Sequence, residues 1–149
     1  MMFLTHLSFS LFLGLLITKY AGVLIDKYFF LAFILFGSVL PDIDCADSLI
    51  GRKFKLLSLF FKHRGFFHSI ISMIILAIIV FLITNKAYYS LAIIIGFLSH
   101  LFLDSLTRAG IAPFWPSKLR VRGIFKTSRL FDWILFGIFI LCCITYFLY

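Results

Sequence analysis

The sequence predicts an all-α, polytopic integral membrane protein with about five transmembrane helices, one of them short or re-entrant. Three observations carry that expectation. Of 149 residues, 63% are hydrophobic and the mean hydropathy is +1.14, too apolar for an ordinary soluble domain. The apolar residues gather in five segments, 6–24, 28–40, 66–84, 87–106 and 131–149, and a bilayer core of about 30 Å takes roughly 20 helical residues. The polar residues concentrate in two stretches, 41–65 and 107–130. No long polar linker, internal repeat or low-complexity tract divides the chain, so residues 1–149 are expected to form a single domain.

Taken in order, segment 6–24 is long enough to span, although Lys19 interrupts it and must snorkel or find a partner. Segment 28–40 is short and ends at Pro41, which disfavours helix at Leu40; it is expected to be tilted or to reach only part-way. Segments 66–84, 87–106 and 131–149 are adequate spans. The stretch 107–130 holds Pro113 and Pro116 and no acid, and reads as a loop or a surface-lying segment. No basic n-region precedes the first span and no small-residue cleavage site follows it, so no secretory leader is expected. The three cysteines, Cys45, Cys142 and Cys143, make no disulfide framework.

Charge sets the expected orientation. Fourteen Lys and Arg face six acids, all of them Asp. The basic residues cluster in 41–65 and 107–130, which share a side in a five-span topology, whereas the opposite turns hold Lys27 and Lys86. The positive-inside rule then puts both basic loops and the N-terminus in the cytoplasm and Tyr149 outside.

On that topology the ligand-type residues gather at one membrane face. His6 opens the first span, Asp42 and Asp44 close the second, His63 and His68 open the third, His100 and Asp104 close the fourth, and Asp132 opens the fifth. Membrane solubility alone would scatter such residues over both faces. His100 and Asp104, spaced i, i+4, share one face of a helix, inside an apolar span where ionisable groups are costly and usually functional. Asp42 and Asp44, alternating in an extended segment after Pro41, are expected to point the same way and bracket an ion. Several His with carboxylates is the donor set of a catalytic divalent site. Interhelical hydrogen bonds and ion pairs, such as His100 with Asp42, or a proton pathway, remain open as alternatives.

Thr5-His6, Pro41-Asp42-Ile43-Asp44, Ser48-x-x-Gly51-Arg52, His63-Arg64-Gly65-x-x-His68-Ser69 and Ser99-His100-x-x-x-Asp104-x-x-Thr107 together resemble the YdjM-like family of small bacterial inner-membrane proteins, described as metal-dependent hydrolases. The order is also similar, more distantly, to that of zinc-dependent phospholipase C and related single-strand nucleases. Thr127-Ser128-Arg129-Leu130-Phe131-Asp132 departs from the family's Thr-Gly-Ser-x-x-Glu, and Cys45 stands where relatives often have His.

The resemblance implies a membrane-embedded phosphoesterase acting on a lipid or lipid-linked phosphate at the cytoplasmic face of the inner membrane. One to three divalent ions, zinc by family analogy, would be held by His6, Asp42, Asp44, His63, His68, His100, Asp104 and Asp132. Asp44, Arg64 and Asp104 are the candidate catalytic residues; Arg64 and Arg52 would grip phosphate through their planar fork. Ser69 and Thr107 would orient ligands rather than attack substrate. Nucleic acid is not the expected partner, and no protein partner is specified. Two other classes stay in view: a non-catalytic membrane protein whose metal site is structural or sensory and docks a partner, and a small transporter relaying cations through His100 and Asp104. The sparse polar content of 66–96 argues against a through-path.

Overall fold

The computed structural model describes residues 3–20, 26–44, 65–117 and 119–148. Among them the regular structure is helical: α1 (Phe3–Tyr20), α2 (Lys27–Val39), α3 (Ile70–Thr84), α4 (Ala87–Ser105) and α5 (Arg129–Leu148), with short 3₁₀ turns at Leu40–Asp44 and Phe66–His68. Three helices, α1, α4 and α5, are long and apolar enough to cross a membrane. The all-α, multi-helix membrane architecture is as the sequence predicts.

Two local expectations are corrected. Leu40 stays in the right-handed helical region although Pro41 follows it, and the chain runs straight from α2 into the 3₁₀ turn. Proline fixes φ near the helical value and lacks only an N–H that a first turn does not need. Because Asp42 and Asp44 sit in this turn, the alternation of an extended strand does not apply to them. The helix in segment 66–84 is also shorter than expected, at 15 residues, or roughly 22 Å. Ser69 ends the preceding turn and accepts a hydrogen bond from the Ser72 N–H, so α3 starts at Ile70.

Helix α4 is the centre, packed by α2, α3 and α1, while α5 lies along α1. The closest approach is between α2 and α4. A Cβ on Gly96 would collide with the Ile34 carbonyl, and one on Gly37 with that of Ile93. Small residues at such crossings let backbones touch where no hydrophobic effect drives helices together in lipid. Phe30, Ile34 and Ala92 close the seam on one side, and Met73, Phe97, Leu101 and Ile111 form a second cluster towards the loop. Outward faces of α3 and α5 expose a run of large apolar side chains, among them Leu82, Ile83, Leu141 and Leu148, as a hydrocarbon solvent requires.

Residues 106–117 and 119–128 form a folded loop. Isolated bridges join Thr107 to Phe125 and Ile111 to Val121, and the Pro113 carbonyl accepts the first amide of α3 at 2.9 Å. At the opposite end of the bundle, Asp26 meets Lys86 at 3.6 Å and accepts a hydrogen bond from the Tyr89 hydroxyl. Lys19 finds the partner its position demands: its ammonium lies over the Tyr146 ring, 5.0 Å from the centroid.

Candidate metal centre

Four segments deliver side chains to one point. His6 sits in the first turn of α1, Asp42 in the 3₁₀ turn after α2, and His68 at the end of the 3₁₀ turn before α3. His100 and Asp104 are one turn apart on α4. The predicted convergence on one end of the bundle is therefore present for these five residues.

Asp104 is the hub. One carboxylate oxygen lies 3.4 Å from His6 Nε2; the other lies 3.6 Å from His68 Nε2 and 3.8 Å from His100 Nε2. Asp42 faces the same two imidazoles from the far side, 3.7 Å from His100 Nε2 and 4.0 Å from His68 Nε2. Two groups of donors have mutual distances short enough to hold an ion, His6–His100–Asp104 and Asp42–His68–His100, with His100 common to both. His6, His68, His100 and Asp104 are buried, and only Asp42 is partly accessible.

The tautomer of His100 follows from its neighbour. Its Nδ1 is 2.7 Å from the Ser38 carbonyl oxygen, which can only accept, so Nδ1 carries the hydrogen and Nε2 presents a bare lone pair. That Nε2 is buried with no hydrogen-bond partner among the described residues. A buried acceptor left unsatisfied costs about 1–3 kcal/mol, and here it faces two carboxylates, which are acceptors as well. Such a cluster repels itself unless a proton or cation lies among the donors. The imidazole and carboxylate set, with the other ring nitrogen anchored by a carbonyl, fits a divalent ion.

Supporting hydroxyls hold backbone rather than touching the donors. Ser69 Oγ donates to the Phe66 carbonyl at 2.6 Å, tying the turn that carries His68. Thr107 Oγ1 donates to the Asp104 carbonyl at 2.8 Å and accepts from the Gly110 N–H, anchoring the end of α4 to the loop. The rings of His6 and His100 stack with centroids 3.9 Å apart.

The remaining expected residues stand apart. Asp132 is buried in the first turn of α5, where its main-chain carbonyl accepts a hydrogen bond from Thr5 Oγ1; it belongs to neither donor group. Asp44 ends the 3₁₀ turn. His63 and Arg64 lie outside the described residues, as do Cys45 and Arg52. Sequence reading missed the Ser38 carbonyl and the Gly37–Gly96 approach that brings it to His100. The signal available was the small pair Gly37-Ser38 near the end of an otherwise bulky helix.

Comparison with known proteins agrees with the motif-level resemblance. The sequence model of a family described as "YdjM inner membrane protein" matches residues 1–149. A Bacillus subtilis protein named "Uncharacterized protein YvsG" is 41% identical over 90 residues, covering 58% of this chain and 56% of that protein. The Escherichia coli "Inner membrane protein YdjM" is 34% identical over 93 residues, 56% of this chain and 47% of that protein. The chain spans about half the length of the curated relatives it matches. No solved structure matches it.

Proposed function

Because the chain belongs to the YdjM family of inner-membrane proteins, we propose that it is a membrane-embedded, metal-dependent phosphoesterase acting on a lipid or lipid-linked phosphate at the cytoplasmic face. The observation that carries this reading is the convergence of three imidazoles and two carboxylates from four segments, in two donor groups that share His100. A divalent metal held there would activate water for attack and neutralise charge on the phosphoryl oxygens. Three nitrogen donors with carboxylates suit zinc.

The chain's own residues divide the work. His100 is locked by the Ser38 carbonyl with Nε2 aimed inward, and Asp104 offers one oxygen to each side of the cluster. His100 offers only that one nitrogen and so would serve one ion; the two groups together would hold one ion, or two with His100 on only one of them. Asp42, the accessible member, marks the side from which substrate enters. His63 and Asp44 would complete the donor set, with Asp132 behind the α1–α5 contact, and Arg64 and Arg52 would clamp phosphate. The basic run 118–129 would rest on anionic lipid at about 1 kcal/mol per residue near the surface. His100 lies five residues before the end of α4, roughly 7.5 Å along the helix. That depth favours a lipid head group over a nucleic acid.

The test is turnover by metal-loaded protein in nanodiscs against phospholipids, polyprenyl phosphates and single-stranded DNA. Lipid phosphate should be hydrolysed in preference, a chelator should abolish the activity, and Asp104→Asn should be folded but inactive. Metal-loaded protein with no turnover on any lipid phosphate would replace this reading with a structural or sensory metal site.

A further inference from the structure

Beside the metal centre, α1, α4, α5 and the 106–128 loop enclose a cavity of about 330 Å³, within the size range of ligand pockets, about 300–1,000 Å³. Phe9, Phe102, Phe125, Phe131, Leu135 and Phe139 form its walls. It exists because α5 packs along α1 rather than α4, leaving a wedge between α4 and α5. The one hydroxyl on its lining, that of Thr107, is already committed to the Asp104 carbonyl and the Gly110 amide. A water would find no set of polar partners there, so hydrocarbon is the matching occupant.

The cavity's position ties it to the site. Leu103 and Thr107, which flank Asp104 on α4, both line it. Its helical walls are the three helices long enough to cross the bilayer, and Phe102 on its lining is 54% exposed. The chain neighbours of its lining are cationic: Arg108 follows Thr107 and Lys126 follows Phe125, and both are exposed. Among the described residues none of the metal donors lines the slot, but the helix that carries Asp104 forms one of its walls, and an apolar slot with exposed cations adjoining it complements an amphiphile with an anionic head.

We infer that this cavity is the acyl-chain pocket of the substrate, seating one hydrocarbon tail of a lipid phosphate so that its phosphate lies at Asp104 and Asp42. The inference rests on the phosphoesterase reading above and deepens it: selection for a lipid resides in the pocket rather than in the metal ligands. Each methylene added to the tail tightens binding roughly fourfold, the equivalent of about 0.8 kcal/mol, until the cavity is full, and adds little beyond that.

The experiment uses non-hydrolysable alkylphosphonates from butyl to hexadecyl, bound to metal-loaded protein in nanodiscs, with a diazirine on the tail of the longest for crosslink mapping. Affinity should climb with tail length and then level off, and crosslinks should fall on Phe9, Phe102, Leu135 or Phe139. Leu135→Trp, which fills much of the cavity, should weaken the long tails far more than the butyl compound. Phe139→Ala, which enlarges it, should move the plateau to longer tails. Affinity that keeps climbing without a plateau, indifference to both variants, or crosslinks confined to the outward face of α3 would mean bulk partitioning and overturn the pocket. The two readings fail separately. Plateaued, Leu135-sensitive binding without turnover of any lipid phosphate supports the pocket and removes the hydrolase. Equal kcat/KM for butyl and hexadecyl phosphates keeps the hydrolase and removes the pocket.

Discussion

Adding one methyl group to Gly96 should disturb the metal centre without touching any donor. The new Cβ would run into the Ile34 carbonyl and the Ser38 amide, both backbone atoms that cannot swing aside, so α2 must move off α4. Overpacking of this kind costs about 1–3 kcal/mol, and the separation also stretches the 2.7 Å contact between His100 Nδ1 and the Ser38 carbonyl, worth about 1 kcal/mol. The total, about 2–4 kcal/mol, corresponds to a fall in Tm on the order of 5–15 °C for a chain of this size. With its anchor loosened, His100 should hold metal about 10–100-fold more weakly, the usual effect of losing a partner behind a ligand. Gly137→Ala is the matched control, because a Cβ there meets nothing within 4 Å; it should be neutral or slightly stabilising. Thermal unfolding in detergent and metal titration read both quantities. If Gly96→Ala matches wild type in Tm and metal affinity, the α2–α4 contact does not set His100 and this reasoning is wrong.

Other substitutions probe the donors and the topology. His68→Ala and His100→Ala should each strip metal from purified protein while leaving membrane insertion intact, measured by metal analysis beside a fractionation blot. Asp132→Ala, outside both donor groups, should weaken metal binding less than His100→Ala does. A reporter fused after Tyr149 should read extracytoplasmic and one inserted near Ser117 cytoplasmic; both on one side would break the five-span topology and make segment 28–40, or the last one, re-entrant.

The parts of this fold that were legible in sequence are those set by hydropathy and by chemical scarcity. Apolar runs of membrane length give α1, α4 and α5 directly, and Asp and His are so costly in lipid that their clustering at helix ends announced the site. What escaped was set by backbone contact. The 3₁₀ turn at Leu40–Asp44 followed from Pro41 acting as a first-turn residue, where its bias against helix at Leu40 suggested an extended segment. The late start of α3 comes from Ser69 capping, a local hydrogen bond invisible to a hydropathy window. Ser38 contributes through its carbonyl, which every residue has, so no side-chain pattern could mark it. The cavity beside Asp104 depends on α5 leaning on α1, a packing choice that apolar composition does not encode.

Whether His6, Asp42, His68, His100 and Asp104 hold metal is read from the metal content of the protein. Protein purified without chelator, then assayed by inductively coupled plasma mass spectrometry, should carry one or two divalent ions per chain. Asp104→Asn, which keeps the shape but removes the charge both donor oxygens share, should retain less than about a tenth of that. Wild-type protein that arrives free of divalent metal and cannot be loaded, or an Asp104→Asn variant that keeps its full complement, would contradict the account and leave the cluster as an interhelical network.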